Sequence, residues 1–259
     1  MLAFFEELGL FVIKFFEYLG GLVNLFLEAL SWITKGAVRL NLTLDQMAIL
    51  GVSSLGIVVI TCTFAGMVIS LQLADYAVRY GITQYAGGAV ALSMAREFGP
   101  MLSAIVVAGR AGSAITAEIG SMKVTEQIDA LRVMGVSPAR YLVVPRFIAC
   151  VVMLPILATF AGVGGTLGGA VVANVQVNLQ YDVFFDSIKN ILVPWDVYAG
   201  LIKSAMFASE IALVACLQGI NTSGGAAGVG KATTQSVVNS MLLIFITNYF
   251  LSAWMFPPK

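Results

Sequence analysis

Four charged side chains fall inside otherwise apolar stretches of the sequence. Arg96 and Glu97 interrupt one stretch, and Lys203 and Glu210 interrupt another. Ionisable groups within a membrane are costly and usually face a bundle interior or a water-filled cavity that serves transport. Neighbours at i and i+1 do not face each other on a helix. We therefore predict that Glu97 pairs with Lys203 across two helices. A second pair, Arg96 with Glu210, would cancel the remaining charges.

Two interpretations of these charges stay open: they line a cavity, or they only hold helices together. Gly99 and Pro100, which follow directly, favour the cavity, because irregular backbone at membrane depth is tolerated where it lines a cavity or is buried in protein.

The residue types needed for common catalytic sites are absent from the sequence or badly placed in it. There is no histidine, the commonest general base and a usual zinc ligand. Cys62, Cys150 and Cys216 occur singly, a pattern that favours helix packing over a disulfide or metal site. The aspartates considered as an acidic pair fall near or outside the ends of the apolar stretches: Asp75, Asp129, Asp182, Asp186 and Asp196. We therefore expect neither a catalytic site nor a metal site in this chain.

The sequence from Gly225 to Lys231 matches the G-x-x-x-x-G-K pattern of a phosphate-binding loop. ATP binding is not expected there, because Ala232 occupies the place of the magnesium-binding Ser or Thr and no strand precedes the motif. The glycines predict a tight turn instead.

The elements that must position the charges are membrane spans. Of the 259 residues, 59% are hydrophobic and 11% are charged, against roughly 25% charged in soluble proteins. Pro145 and Pro155 predict a late start or a kink in the third span. Two glycine pairs with GxxxG spacing in the same span predict close helix packing, Gly164 with Gly168 and Gly165 with Gly169. Five stretches have the roughly 20 apolar residues that a spanning helix needs: 47–73, 86–109, 144–173, 197–219 and 233–256.

The first 39 residues have a different pattern. Their polar side chains fall within an arc of about 100° on a helix, with aromatic side chains in other directions. We predict an amphipathic helix that lies in the membrane interface over 1–46, with a possible bend at Gly20 and Gly21. A sixth span is the alternative, and the four carboxylates of the segment argue against it. The polar arc comprises Glu6, Glu7, Lys14, Glu17, Asn24, Glu28, Lys35 and Arg39.

The distribution of Lys and Arg predicts a cytoplasmic N-terminus and an external C-terminus, because cytoplasmic connections carry the excess of these residues. Tyr76 and Tyr80, near the outer end of the first span, are typical of an interfacial aromatic belt, with a cavity-mouth role as the alternative. One side would carry Lys14, Lys35, Arg39, Arg110, Lys123, Arg132, Arg140, Arg146 and Lys231. The other would carry Arg79, Lys189 and Lys259.

The connection between the second and third spans contains a predicted amphipathic helix, at about 117–135. Apolar side chains alternate there with charges at helical spacing, and Gly135 and Pro138 end the helix. Such a helix could lie on lipid or dock in a partner's groove, and its charges of both signs favour a protein partner.

These motifs resemble the MlaE/YrbE family of ABC-transporter permeases over about residue 45 to the C-terminus. The resemblance lies in Arg96-Glu-Phe-Gly-Pro, Ala108-Gly-Arg-Ala-Gly-Ser-Ala-Ile-Thr-Ala-Glu-Ile-Gly, Thr125-Glu-Gln-Ile-Asp-Ala-Leu and Gly224-Gly-Ala-Ala-Gly-Val-Gly-Lys-Ala-Thr-Thr. It implies a homodimeric permease domain over 47–259 that moves phospholipids between the inner and outer membranes of a diderm envelope. Its location would be the inner membrane. The implied partners are a cytoplasmic ATPase, which would hold the ATP and Mg²⁺, and a periplasmic MCE-domain protein.

The resemblance also assigns roles to residues. The implied lipid cavity contains Arg96, Glu97 and Lys203, to which we add Leu71 and Tyr80, whereas the assignment of Glu210 rests on its charge alone. The implied coupling helix would contact the ATPase through Glu118, Lys123, Glu126, Asp129 and Arg132. The rival interpretation is a self-contained secondary transporter or channel for an amphiphile, which often shows inverted repeats that we do not find in the sequence.

Overall fold

The structure, a computed structural model, describes residues 2–36 and 38–257, which form helices and no strands. Five of the helices are long and apolar enough to cross a membrane, and they confirm the number and order of the predicted spans. The chain is therefore an all-α, multi-pass membrane protein. Over the described residues the helices are α1 Leu2–Thr34, α2 Leu40–Arg79, α3 Thr83–Val124, α4 Gln127–Val133, α5 Ala139–Val177, α6 Tyr181–Ile191, α7 Pro194–Ile220 and α8 Gly225–Met255. The spans are α2, α3, α5, α7 and α8.

Helices α2 and α5 pack at backbone contact, as the glycine pairs predict. A side chain at Gly66 of α2 would overlap the carbonyl group of Gly165 of α5. A Cβ atom at Gly168 would lie 2.7 Å from the Thr63 carbonyl oxygen. Small residues allow helices in lipid to approach this closely, where dispersion contacts replace the hydrophobic driving force. Helix α5 continues through Pro145, which lies in its first regular turns, and through Pro155.

Helix α7 forms the centre of the bundle. It packs against α3, α5 and α8, and its inner face is fully buried at Phe207, Ile211 and Val214. This central position explains how the span can carry charged residues, because side chains on its inner face contact protein and not lipid.

Helix α3 continues to Val124, well beyond the predicted end of the second span at residue 109. Its 42 residues would extend about 63 Å, roughly twice the hydrocarbon thickness. Packing against α7 and α8 supports the extra turns. The Thr116 hydroxyl lies 2.8 Å from Ser236 Oγ and 3.1 Å from the Ala215 carbonyl oxygen.

Helix α1 runs through Gly20 and Gly21 without interruption, and a bend at these residues stays a prediction. It contacts the spans through buried Leu25 and Ala29, while most of its other apolar side chains that the structure describes are exposed. Its placement in the membrane interface stays a prediction. The side chains of Glu6 and Glu7, and all of Lys259, lie outside the part of the chain that the structure describes.

The glycine-rich segment that resembles a phosphate loop forms the first turns of α8. The predicted tight turn is shorter and lies before it, at residues 221–224, where Gly224 has a φ of 86°. Gly225 also has a positive φ, of 67°, and the helix continues from there through Lys231.

Candidate functional site

The backbone that carries Arg96 and Glu97 is an irregular turn within α3. Residues Met94–Phe98 form a π-helical turn, a feature often found at functional sites. Pro100 has no N–H with which to complete a helical hydrogen bond to the Arg96 carbonyl. The Lys203 ammonium of α7 donates to that carbonyl at 3.0 Å instead. The sequence Gly99-Pro100 thus creates a free acceptor, and the neighbouring span supplies its donor.

The predicted pair of Glu97 with Lys203 is present in the structure. The Lys203 Nζ atom lies 2.6 Å from Glu97 Oε1, and the lysine side chain is fully buried, whereas that of Glu97 is one-third exposed. Lys203 Nζ also donates to Ser252 Oγ of α8, at 2.7 Å. Its three protons therefore have three acceptors: a carbonyl, a carboxylate and a hydroxyl.

The open side of Glu97 is held by α8. Asn248 Nδ2 donates to Glu97 Oε2 at 3.0 Å, and Ser252 Oγ lies 2.9 Å from Oε1. A buried charge is tolerated when it is both paired and hydrogen-bonded. Three spans, α3, α7 and α8, thus meet at one carboxylate.

The predicted pair of Arg96 with Glu210 is wrong. Arg96 binds Asp196 instead, with Nε at 2.8 Å and Nη2 at 2.7 Å from Oδ1. Asp196 lies in the first turn of α7, whereas Glu210 lies 14 residues further along the same helix, about 21 Å away. One acidic residue of α7 therefore reaches Arg96 and the other does not.

Asp196 is a site residue that sequence reasoning missed, because it was placed near or outside a span end. Its carboxylate accepts the Val193 N–H at 3.0 Å and so caps α7, while its other oxygen binds Arg96. The side chain is almost fully buried. Pro194 at the start of the helix followed by Asp196 is a recognisable helix-start signal, but that signal carries no information about a partner on α3.

Glu210 lies apart from both ion pairs. It is half-buried beside Thr247 of α8, and its Oε2 atom has no hydrogen-bond partner within the described part of the chain. The structure therefore gives it a polar neighbour and no counterion among the described residues.

An open cavity of about 440 Å³ adjoins the two ion pairs. Arg96 and Glu97 form its polar wall, and the Phe256 ring lies over both cations, 4.0 Å from Arg96 Cζ and 5.6 Å from Lys203 Nζ. The predicted cavity residues Leu71 and Tyr80 are not among its described lining residues; Leu71 is exposed on α2, and Tyr80 is exposed directly after that helix. The complete lining is Leu92, Ser93, Arg96, Glu97, Tyr249, Ser252, Ala253 and Phe256.

A second cavity, of about 330 Å³, lies between α3, α5, α6 and α7 and is lined by apolar or small residues such as Ala95, Gly162 and Leu201. It contains none of the predicted site residues. The cavity beside the ion pairs is the better candidate for a functional site, because it combines apolar walls with a few convergent polar groups.

The predicted helix over 117–135 is two helices in the structure, which corrects its boundaries. Glu118 and Lys123 belong to the end of α3, and Asp129 and Arg132 belong to α4. Glu126 lies between the helices in the left-handed conformation, with a φ of 61°, which regular helix does not tolerate.

An ion-pair network fixes the corner between α3 and α4. Lys123 Nζ lies 2.9 Å from Asp129 Oδ2, and Arg132 Nη1 lies 3.2 Å from Oδ1. The Lys123 ammonium, with a smaller contribution from Arg132, lowers the pKa of the Asp129 carboxyl below its usual value. Three of the predicted coupling residues thus bind one another.

The remaining coupling residues are placed differently. Glu118 Oε2 lies 2.7 Å from Arg146 Nη2, a pair that ties the end of α3 to the start of α5. Glu126 is exposed at the corner. The apolar tip of α4 is the most exposed surface here, with Val133 89% and Met134 68% exposed. These two residues were not among the predicted coupling residues.

Comparison with known proteins gives consistent matches over most of the chain. A family model described as Permease MlaE matches residues 43–254. A probable ABC transporter permease protein of Synechocystis sp. is 46% identical over 224 residues, which cover 86% of this chain and 85% of the relative. Another, of Rickettsia typhi, is 38% identical over 248 residues, or 96% of each protein.

A plant protein is also similar. The chloroplastic protein TRIGALACTOSYLDIACYLGLYCEROL 1 of Arabidopsis thaliana is 40% identical over 224 residues, which cover 86% of this chain. The matched region spans 64% of that longer protein.

Proposed function

This chain belongs to the MlaE permease family and is a membrane subunit of an ABC transporter, and on that premise we propose that it moves phospholipids between the inner and outer membranes of a diderm bacterium. The observation that carries the proposal is the cavity beside the ion pairs. Arg96 and Glu97 offer a cation and an anion at one wall, next to the aromatic rings of Tyr249 and Phe256. An amphiphile with a charged head group and apolar chains fits this combination, because the head group needs polar partners and the chains need apolar surface.

Two further observations support a lipid substrate. The cavity opens beside α8, whose exposed side chains include Leu242, Phe245 and Phe250, so an acyl chain would remain in contact with apolar surface. The Arabidopsis relative is named for trigalactosyldiacylglycerol, a glycerolipid.

We propose that the permease works as a homodimer with a cytoplasmic ATPase, which binds ATP and Mg²⁺, and with a periplasmic MCE-domain protein. The exposed apolar tip of α4 supports an ATPase contact, because the ion pairs at its base hold it in a fixed position. On this proposal the chain lies in the bacterial inner membrane with its N-terminus in the cytoplasm. The excess of Lys and Arg on the side that carries α4 supports that orientation.

The lipid proposal can be tested by neutralising the pair beside the cavity. We expect the double variant Arg96→Gln/Asp196→Asn to slow ATP-dependent transfer of a fluorescent phospholipid by about ten-fold or more, since a hydrogen bond to a charged group contributes roughly 1.5–3 kcal/mol. The measurement uses the transporter complex in proteoliposomes.

The matched control for this variant is Asp186→Asn/Lys189→Gln, which neutralises an exposed ion pair on α6. The control complex should transfer lipid at the wild-type rate. Equal rates for both double variants would show that the charged wall does not handle the head group.

The ATPase contact can be tested at the tip of α4. We expect Val133→Ser/Met134→Ser to weaken copurification of the ATPase with the tagged permease by about ten-fold, because both side chains would lose apolar burial against the partner. The amount of ATPase that elutes with the detergent-solubilised permease measures the effect.

Val175→Ser removes a comparably exposed apolar side chain at the far end of α5 and should leave copurification unchanged. An unchanged yield of ATPase with the α4 variant would place the contact elsewhere. If no ATPase copurifies with the wild-type chain, the proposal of an ATP-driven transporter fails.

A further inference from the structure

A basic pocket lies at the end of the spans that carries α4, away from the cavity beside the ion pairs. It is a cavity of about 190 Å³ formed where α1 ends, α2 begins and α5 begins. We define the basic pocket by its lining residues, Trp32, Arg39, Gly135, Val136, Ser137, Arg140 and Tyr141.

The cations of the basic pocket rest on aromatic rings. Arg39 Cζ lies 5.0 Å from the centre of the Tyr141 ring, and Arg140 Cζ lies 5.4 Å from that of Trp32. Lys35 Nζ approaches the same Trp32 ring at 5.2 Å. Contact with a ring face restricts a guanidinium without using its N–H groups as hydrogen-bond donors.

Among the side chains that the structure describes, these three cations have no acidic partner. None of them forms an ion pair with a described side chain, and their side-chain nitrogens donate no hydrogen bond to a described group. The Glu28 carboxylate accepts a hydrogen bond from Ser137 Oγ at 3.2 Å and does not line the pocket. The charged groups that line the basic pocket are therefore two arginines.

From this arrangement we propose that the basic pocket binds the phosphate of an anionic phospholipid in the surrounding bilayer. Arginine donors match phosphate oxygens in pairs, and basic pockets between spans are a known type of anionic-lipid site. The position favours a lipid over free phosphate or a protein. Trp and Tyr are typical of the membrane interface, and exposed Leu40 and Leu44 directly after Arg39 offer apolar surface for an acyl chain.

This lipid is a bound component of the bilayer and not the transported substrate. The basic pocket and the cavity beside the ion pairs share no lining residue. The inference therefore does not depend on what the permease transports.

The test uses Trp32 as a reporter. The chain has three tryptophans, so Trp195→Phe/Trp254→Phe leaves Trp32 alone in the full-length protein. This parent is reconstituted in phosphatidylcholine vesicles that contain increasing fractions of dibrominated phosphatidylglycerol or, separately, dibrominated phosphatidylcholine. We expect Trp32 fluorescence to be half-quenched at a mole fraction of dibrominated phosphatidylglycerol about ten-fold lower than that of dibrominated phosphatidylcholine.

Arg39→Gln/Arg140→Gln in the same background should remove this ten-fold preference. Lys231→Gln, which removes an exposed cation outside the basic pocket, should preserve it. Unchanged quenching by dibrominated phosphatidylcholine verifies that Trp32 keeps its place in the double variant. If that quenching changes, the single variant Arg140→Gln provides the same comparison with a smaller expected loss.

Three results would overturn the proposal. One is equal quenching by the two lipids in the parent protein, and another is a preference that survives in the arginine variants. The third is removal of the preference by excess inorganic phosphate, which would assign the basic pocket to the free ion. If the arginine variants lose copurification of the ATPase but keep the lipid preference, the basic pocket contacts a protein. That outcome also overturns the proposal.

Discussion

Replacing Glu97 with leucine should destabilise the protein by roughly 3–5 kcal/mol, because it leaves the fully buried Lys203 ammonium without its counterion. Lys203→Met should cost less. Glu97 is one-third exposed and keeps its hydrogen bonds from Asn248 and Ser252, so its charge stays partly solvated. Unfolding of the purified permease by denaturant in detergent measures both effects.

The double variant Glu97→Leu/Lys203→Met separates stability from function. Replacing a buried ion pair by apolar residues of similar size is often neutral or stabilising, so the double variant should unfold within about 1 kcal/mol of the wild type. Lipid transfer should nevertheless stay at least about ten-fold reduced, because the polar wall of the cavity loses its carboxylate and keeps only Arg96 as a charged group. Full transfer activity in a stable double variant would mean that these charges only hold the helices together.

Gly66→Ala should destabilise the bundle by roughly 3 kcal/mol. The added methyl group would overlap the backbone carbonyl of Gly165, and neither α2 nor α5 can yield there without separating along their whole contact. The same denaturant titration in detergent measures the loss, and the yield of folded protein should fall with it.

Gly56→Ala is the matched control, since it adds the same methyl group to the same helix. Nothing lies within 4 Å of a Cβ atom at Gly56, so the substitution should be neutral or stabilising by up to about 1 kcal/mol through helix propensity. A similar loss of stability in both variants would show that the effect of Gly66→Ala does not come from the close contact with Gly165.

The two ion pairs connect the cavity beside them to the rest of the bundle. Asp196 caps α7 and holds Arg96, while Lys203, about two turns further along the same face of α7, binds the Arg96 carbonyl and Glu97. A shift of α7 relative to α3 would therefore move the Arg96 and Glu97 side chains at the cavity wall together. On the proposed function, movement of this span would in this way change the affinity of the cavity for lipid.

Much of the architecture followed from composition and periodicity. Five runs of about 20 apolar residues predict five helices that cross a bilayer, since backbone groups in lipid must hydrogen-bond within their own segment. The GxxxG pairs correctly predicted close packing of α5, because close approach needs small residues at one face, and the structure shows that its partner there is α2. Glu97 and Lys203 were paired correctly because an uncompensated charge in the membrane is too costly.

Tertiary structure decided the remaining features, and geometry is the reason in each case. Charge cancellation allowed either Asp196 or Glu210 to be the partner of Arg96, and only the position of α7 beside the π-helical turn of α3 selects Asp196. The single helix predicted over 117–135 breaks at Glu126, because packing on α7 and α8 extends α3 and the Lys123–Asp129 pair then fixes the corner. The basic pocket contains Trp32, Arg39 and Arg140. Arg140 lies about 100 residues after the other two in the sequence, so only the folded structure shows that the three are close together. The sequence by itself determined which charges the membrane requires to be paired, and the packing of the helices determined which groups lie close enough to pair.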